Sequence, residues 1–447
     1  MLFLVLMAVL FFPLRTVSPM IESDAQFRRP QEARTFARAL MHPTPFDVVL
    51  RDGVFLHGTQ GIGKTTFLRE DLTPALEDEG ALVVYADLQK RAAWRDPVKT
   101  LAKEINAMRQ KAAENALLPP ADVSSSVPSD SIGNALFEAV DRSGRSLVLI
   151  LDGVEHLLQT RSGRSLLKWL KAARDAVNLR FRNEARTYLL VVAAGSHRYA
   201  VSKLASSSNE AFYGALVKPF PVLGEDYVDW VVECFFTGAF KGTSKHISAD
   251  PQCLPTRAAL VKGFEILSLR PGVLQEVLGD FEAAIETTMS TPTETPAGQR
   301  IKSLVGVANS GKDEKDDMGD MSGIDAAFLK ACTARARSNA ARTLEGIAAS
   351  DSLTRALFSA FSEAGEAGVA GVQSQDFLNR LRAELATNSE KESAAGASSP
   401  PPLTATAVSR TLTRMMNNGW IHRVSYDVYA ASDPQVARLW CAERKGK

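Results

Sequence analysis

Gly53-Val54-Phe55-Leu56-His57-Gly58-Thr59-Gln60-Gly61-Ile62-Gly63-Lys64-Thr65-Thr66 is the stretch on which the fold turns. A short apolar run leads into a glycine-rich turn, and Lys64 and Thr65 stand at the head of a helical pattern. The spacing from Gly58 to Thr65 is G-x-x-x-x-G-K-[ST], the Walker A or P-loop signature. Gly58 and Gly63 sit where a side chain would keep the backbone from wrapping a phosphate chain. The N–H groups of the loop, with the dipole of the following helix, then point at anionic oxygens. Lys64 is expected to reach the β- and γ-phosphates of a nucleotide, and the Thr65 hydroxyl to ligate Mg²⁺. The plain alternative is a chance glycine turn. Strand, loop and helix in the required order weigh against it.

A second motif supports the first. Ser146-Leu147-Val148-Leu149-Ile150-Leu151-Asp152 is an apolar run that ends in a carboxylate, the form of Walker B. An Asp at the carboxyl end of such a strand, beside the P-loop, binds Mg²⁺ directly or through water. A buried strand ending in Asp is common, so the weight comes from its place in a β/α alternation. Glu155 follows three residues later and is the candidate to polarise an attacking water. A solvated carboxylate at a helix start is its structural alternative. Thr187 to Ser196 reads as another buried strand that ends in Ser196, His197 and Arg198. Ser196 is the candidate γ-phosphate sensor, with His197 and Arg198 as alternatives and helix capping as its competing role.

Ala81 to Asp87, an unbroken apolar run, and Leu216 to Phe220 complete a set of strands suited to a parallel sheet covered on both faces. Glu22 to Met41 reads as an amphipathic helix, and the helix after the P-loop is expected to bend or stop near Pro74. At 447 residues, with 45% apolar and 23% charged residues, the chain has core enough for two or three domains. A net charge of +1 gives no global electrostatic case for nucleic acid. Cys234, Cys253, Cys332 and Cys441 are spaced neither as zinc ligands nor as a disulfide framework, which fits a reducing cytoplasm. Met1 to Leu14 is apolar, too short to span a bilayer comfortably and without a basic region before it. Two readings stand for it: an extension before a true start at Met20, or a membrane tether. The first is preferred and makes membrane association an unfavoured expectation.

The expected organisation is an extension at 1–20, an α/β core at 21–222, a helical lid at 223–289, a linker of disordered composition at 290–324, and a helical unit at 325–447. In the lid, Leu269-Arg270-Pro271-Gly272 breaks the helical pattern, and Arg270 is placed to reach back to the phosphates. A surface turn is its alternative. Near the C-terminus two helical patterns, Ser374 to Leu385 and Thr404 to Asn417, precede two short strands, Trp420 to Val424 and Asp427 to Ala430. That order predicts a winged helix-turn-helix. Arg410 and Arg414 lie four apart on one face of the second helix and are the candidate contacts to DNA phosphates. A protein-contact role for the same unit has equal standing.

The assembled pattern resembles the AAA+/STAND superfamily of P-loop ATPases, near the archaeal-type and origin-recognition groups. The likeness rests on Gly58 to Thr65, Leu147 to Glu155, Ala194-Gly195-Ser196, Phe212-Tyr213-Gly214, Arg270-Pro271-Gly272 and Tyr429 to Pro434. It implies a three-layer α/β/α P-loop NTPase core, ATP and Mg²⁺ as cofactors, slow hydrolysis to ADP, a helical lid and a C-terminal winged helix. It also implies a switch that works on a protein partner, with nucleotide-dependent self-association. Two departures stand out. Many AAA+ relatives carry Glu directly after the Walker B Asp, where this chain has Gly153, and many archaeal-type relatives carry Arg after the Tyr-Gly pair, where it has Ala215. Arg182, Arg186 and Arg198 are the remaining candidates for an arginine finger. A DNA-binding initiator or loader, and a nucleotide-stabilised scaffold with little hydrolysis, are the alternatives to the switch.

Overall fold

The computed structural model describes residues 26–44, 48–118, 131–181, 187–237, 255–290, 323–393, 403–425 and 427–445. The expectations for the N-terminal apolar run, the linker over 291–322, Cys253, Arg182 and Arg186 lie outside these residues.

Helix α1 (Pro30–Met41) begins with proline at its first position and turns Ala33, Ala37, Leu40 and Met41 inward. A 3₁₀ turn (Val48–Asp52) leads to β1 (Val54–His57), which is buried throughout. The helix after the glycine loop, α2, runs in three segments: Lys64–Thr66, a π-helical turn Phe67–Leu72, and Thr73–Asp78. The expected break at Pro74 is therefore a widened turn just before it. Thr73 N–H reaches back to Leu68 O, and the Thr73 hydroxyl donates to the same carbonyl across 2.8 Å. This gives the chain room at a residue with no N–H of its own.

Strand β2 (Leu82–Asp87) is followed by α3 (Arg91–Arg95) and α4 (Pro97–Glu114). Asp96 caps α4 by accepting from Lys99 N–H, ahead of proline at the first helical position. Helix α5 (Ile132–Ser143) leads to β3 (Leu147–Asp152), a 3₁₀ turn (Val154–Gln159) and α6 (Arg161–Arg180). Then come β4 (Leu189–Gly195), α7 (Arg198–Ser206) and β5 (Leu216–Pro219). The five strands form one parallel sheet in the order β2-β3-β4-β1-β5.

Side-chain alternation assigns the two faces. Val54, Leu56, Val148, Ile150, Leu190 and Val192 pack beneath α1 and α2, while Phe55, Leu147, Leu149, Leu151 and Val191 pack beneath α4, α5 and α6. The three-layer α/β/α core read from the sequence is present. Because β1 lies between β4 and β5 while β2 lies at the far edge, the chain reverses its winding beside β1. The crevice for a ligand is expected outside the carboxyl ends of strands at such a reversal.

Helices α8 (Glu225–Thr237), α9 (Arg257–Ile266) and α10 (Pro271–Ser290) follow. They share a core with the first half of α11 (Gly323–Ala348), through Phe328, Leu329, Cys332 and Ala336. The second half of α11, with Ala340, Leu344 and Ile347, belongs to the C-terminal core, so this one helix ties the two units together. The C-terminal unit holds α12 (Ser352–Ala364), β6 (Val369–Ala370), α13 (Gln375–Ser393), α14 (Ala405–Asn417), β7 (Ile421–Ser425), β8 (Val428–Ala431) and α15 (Pro434–Lys445). Its antiparallel sheet has the order β6-β8-β7, one strand more than the expected hairpin. Among the described residues no helix is long and apolar enough to cross a membrane, and Cys234, Cys332 and Cys441 form no disulfide.

Candidate functional site

The loop after β1 meets the ends of β3 and β4. Gly58 N–H donates to Gly195 O across 3.2 Å, and Phe67 N–H to Gly63 O across 3.0 Å, so both ends of the loop are anchored. A Cβ at Gly58 would overlap Ile62 Cδ1 and lie 3.2 Å from Phe220 Cβ. Only glycine fits there, because any side chain would strike Ile62 and Phe220. Lys64 is buried and folds its ammonium onto the loop, donating to Gly58 O across 2.7 Å and to Thr59 O across 2.9 Å. Burial pushes its pKa down to about 8, against the opposing pull of Glu155 and Asp152.

Asp152 ends β3 with no exposed surface. Its Oδ2 accepts from Thr65 Oγ1 at 2.6 Å, from the Tyr85 hydroxyl at 3.0 Å and from Gln89 Nε2 at 3.1 Å. Gln89 Nε2 also donates to Thr65 Oγ1 across 2.8 Å. The Tyr85 hydroxyl has its pKa raised, first by burial and then by Asp152. The other carboxylate oxygen, Oδ1, is buried with no hydrogen-bond partner. A buried anionic oxygen without a donor calls for a cation or water. The residues present fit Mg²⁺: one hydroxyl and one carboxylate suffice for an ion that keeps several waters and shares phosphate oxygens. No group of three or more His, Cys, Asp or Glu suited to a metal exists among the described residues, and this site does not require one.

Gly153 follows Asp152 with φ +85, and a Cβ there would lie 3.0 Å from Gln89 Cγ and 3.2 Å from Gln89 N. A glutamate at this position would be both strained and crowded. Glu155 is brought back to the site by the 3₁₀ turn. Its Oε1 accepts from Ser196 N–H across 2.8 Å, and its Oε2 is buried without a partner. Ser196 does not cap the next helix. The N-cap of α7 is His197, with no side-chain capping bond.

Arg270 lies by the loop, with Cγ and Cδ each 3.9 Å from where a Cβ of Gly61 would be. Its guanidinium is not free: Nη2 donates to Asp433 Oδ2 across 2.7 Å. Arg198 likewise meets the C-terminal unit, 2.8 Å from His422 Nε2. His57 and His422 are both buried, and both pKa values are pushed down to about 4, first by burial and then by the charge of Arg198. Between the loop and the C-terminal unit lies a cavity of about 1050 Å³, lined on one side by Gly58, Thr59 and Gln60 and on the other by Trp420, His422 and Asp433.

Several of these side chains were not singled out from sequence. Tyr85 and Gln89 offered only a weak signal, polar groups at the end of a buried strand. Arg29 offered none. It is buried, with its guanidinium carbon 4.6 Å from the Phe67 ring centroid and 4.9 Å from that of Phe220, and Nη1 donating to Pro221 O across 2.9 Å. Arg410 and Arg414 lie on α14 away from this site. Arg410 is exposed, whereas Arg414 is committed to Asp351 and Thr354 of its own unit.

Residues 51–199 match the family model described as an AAA domain. No curated protein matches the chain. Among solved structures, the chain is similar to the ORC2 protein of Aeropyrum pernix in its ADP form, at 14% identity over 96% of each chain and a TM-score of 0.48. It is similar to the ORC1 protein of the same organism in complex with DNA, at 14% identity over 95% of this chain and 94% of that one, with a TM-score of 0.35. It is also similar to Cdc6p from Pyrobaculum aerophilum, at 13% identity over 96% of each chain, with a TM-score of 0.34.

Proposed function

We propose that this protein is a nucleotide-driven switch of the AAA+/STAND type. It binds ATP with Mg²⁺ in the loop after β1, hydrolyses ATP slowly to ADP, and passes the state of that site to a C-terminal unit read as a winged helix. The observation that carries this is the 2.6 Å hydrogen bond from Thr65 to Asp152, which joins Walker A and Walker B in one polar centre. Mg²⁺, when bound there, supplies positive charge to the phosphate oxygens. Thr65 and Asp152 would hold it. The amides from Gly58 to Thr66 would wrap the phosphates, and Lys64 would leave the carbonyls of Gly58 and Thr59 to pair with them.

Glu155 is the proposed general base. Its buried Oε2 has no hydrogen-bond partner and would take the proton once a water reaches it, while Ser196 N–H orients the other oxygen. Ser196 and Arg270 are the proposed readers of the third phosphate. Replacing Lys64 with Ala should abolish ATP binding by equilibrium titration, and wild-type affinity in that variant would refute the assignment.

A second reading, a nucleotide-stabilised scaffold with negligible hydrolysis, is favoured by the glycine that the backbone demands at residue 153. Steady-state phosphate release separates the two. Contact with DNA through the exposed Arg410, an unidentified protein partner and self-association remain parts of the proposal that salt-dependent titration and light scattering would test.

A further inference from the structure

The start of α15 grips the turn between α9 and α10. Arg270 Nη2 donates to Asp433 Oδ2 across 2.7 Å. Gln435 Nε2 donates to Ile266 O across 2.8 Å. Gln435 N–H donates to the other oxygen of Asp433 across 2.9 Å, so the carboxylate is fixed at both ends.

The gripped turn is strained. Ser268 has φ +58 and Leu269 φ +55, two consecutive non-glycine residues in the left-handed region. Such a pair persists only where its surroundings over-determine it, and strain of this kind gathers at functional sites. Its effect is to swing Arg270 toward the nucleotide loop, where Cγ and Cδ lie 3.9 Å from where a Cβ of Gly61 would be. A guanidinium has five donors. One Nη is committed to Asp433, and Nε is buried with no partner at all. An orphaned charged donor beside a phosphate loop points to an anion that arrives with the ligand.

We propose that Asp433 is a positioning residue for the nucleotide site: it holds Arg270 over Gly61 so that the free edge of the guanidinium meets the terminal phosphate of a bound nucleoside triphosphate. Docking of α15 on the lid turn and recognition of the third phosphate are then one coupled equilibrium, and linkage makes the coupling reciprocal. This rests on the proposed role of the loop in binding ATP. Without Asp433 the long arginine side chain regains its rotamers, and each binding event must order it again. The carboxylate thus acts through Arg270 and touches no phosphate itself.

The test measures ATP and ADP affinities of the full chain by titration for wild type, Arg270→Ala, Asp433→Asn, the double variant and Asp433→Glu. Either single substitution should weaken ATP binding about tenfold, as expected for loss of one charge-assisted contact. ADP binding should change little, and the double variant should be no worse than Arg270→Ala. Asp433→Glu should recover part of the loss. Hydrogen exchange gives a second readout that does not need a stable Asp433 variant: ATP should slow exchange in α15 of wild type but not of Arg270→Ala. An Asp433→Asn variant that binds ATP as tightly as wild type or more tightly, losses that add in the double variant, or exchange in α15 that ignores ATP would overturn the inference alone. Failure of wild type to bind either nucleotide would overturn the reading of the loop, and this inference with it.

Discussion

The carboxylate of Glu155 occupies the space that a side chain at residue 195 would fill: a Cβ on Gly195 would overlap Glu155 Oε2 and lie 2.5 Å from Val201 Cγ2. The last residue of β4 therefore sets the position of the candidate base. Gly195→Ala should lower stability by about 1–3 kcal/mol, the usual cost of overpacking a closed site. Thermal unfolding checks this. Phosphate release should fall further than unfolding accounts for, because the methyl group displaces the carboxylate as well.

Glu155→Gln separates chemistry from binding. A glutamine can still accept from Ser196 N–H through its carbonyl oxygen, so the local hydrogen bond and the fold should survive. It cannot take a proton from water. ATP affinity should stay within about twofold while phosphate release falls by roughly 10²–10⁴, the usual contribution of a general base. Unchanged release would remove Glu155 from the mechanism and leave the scaffold reading in front.

Lys64 predicts a pH dependence of two opposite signs. Its pKa is about 8 in the folded chain against 10.5 for the free side chain, so between those values the unfolded state binds more protons. Its contribution to the stability of the ligand-free protein therefore rises as pH goes from about 8 to 10.5, by on the order of 3 kcal/mol in all. Nucleotide affinity runs the other way, because phosphates require the ammonium form. ATP binding near pH 8 should take up a proton, seen as a calorimetric enthalpy that changes with the ionisation heat of the buffer, and affinity should decline above that pH. No proton uptake would mean that Lys64 does not meet the phosphates.

What the sequence made legible follows from which interactions are local. The apolar runs of β1, β2, β3 and β4 and the spacing from Gly58 to Thr65 are patterns of neighbouring residues, and they were enough to place the parallel sheet and its glycine loop. Asp152 was found for the same reason. Gln89 and Tyr85 meet Asp152 only through the pairing of β2 with β3, where Asp87 stands opposite Asp152. Arg29 stacks on Phe220, a residue far away along the chain, and no short pattern announces that. Asp433 belongs to a terminal motif, but its bond to Arg270 spans 163 residues and depends on how the C-terminal unit docks. The missing N–H of Pro74 suggests a break, but a π turn over Phe67–Leu72 absorbs it, an adjustment that depends on neighbours beyond the proline itself.

The two arginines of α14, equivalent in sequence spacing, should behave differently. Arg414 donates to Asp351 Oδ2 and to Thr354 Oγ1, and Asp351 caps α12 by accepting from Thr354 N–H across 2.8 Å. The carboxyl of Asp351 is drawn below its usual range because the Thr354 and Arg414 hydrogen bonds outweigh the opposing effect of burial. Removing Arg414 leaves that cap with one donor fewer. The pair is partly exposed, so Arg414→Ala should cost only about 0.5–1 kcal/mol. Arg410 is exposed on the same helix, and Arg410→Ala should leave stability within about 0.5 kcal/mol. If α14 meets a nucleic-acid backbone, Arg410 is the one with its charge uncommitted. Arg410→Ala should then flatten the dependence of oligonucleotide affinity on salt by about one counterion, while Arg414→Ala should act mainly through stability. Denaturation midpoints and oligonucleotide anisotropy at two salt concentrations, measured on both variants, decide it. Equal losses of salt dependence in the two would mean that Arg414 abandons Asp351 on binding, and absence of binding at low salt in wild type would exclude nucleic acid from this face.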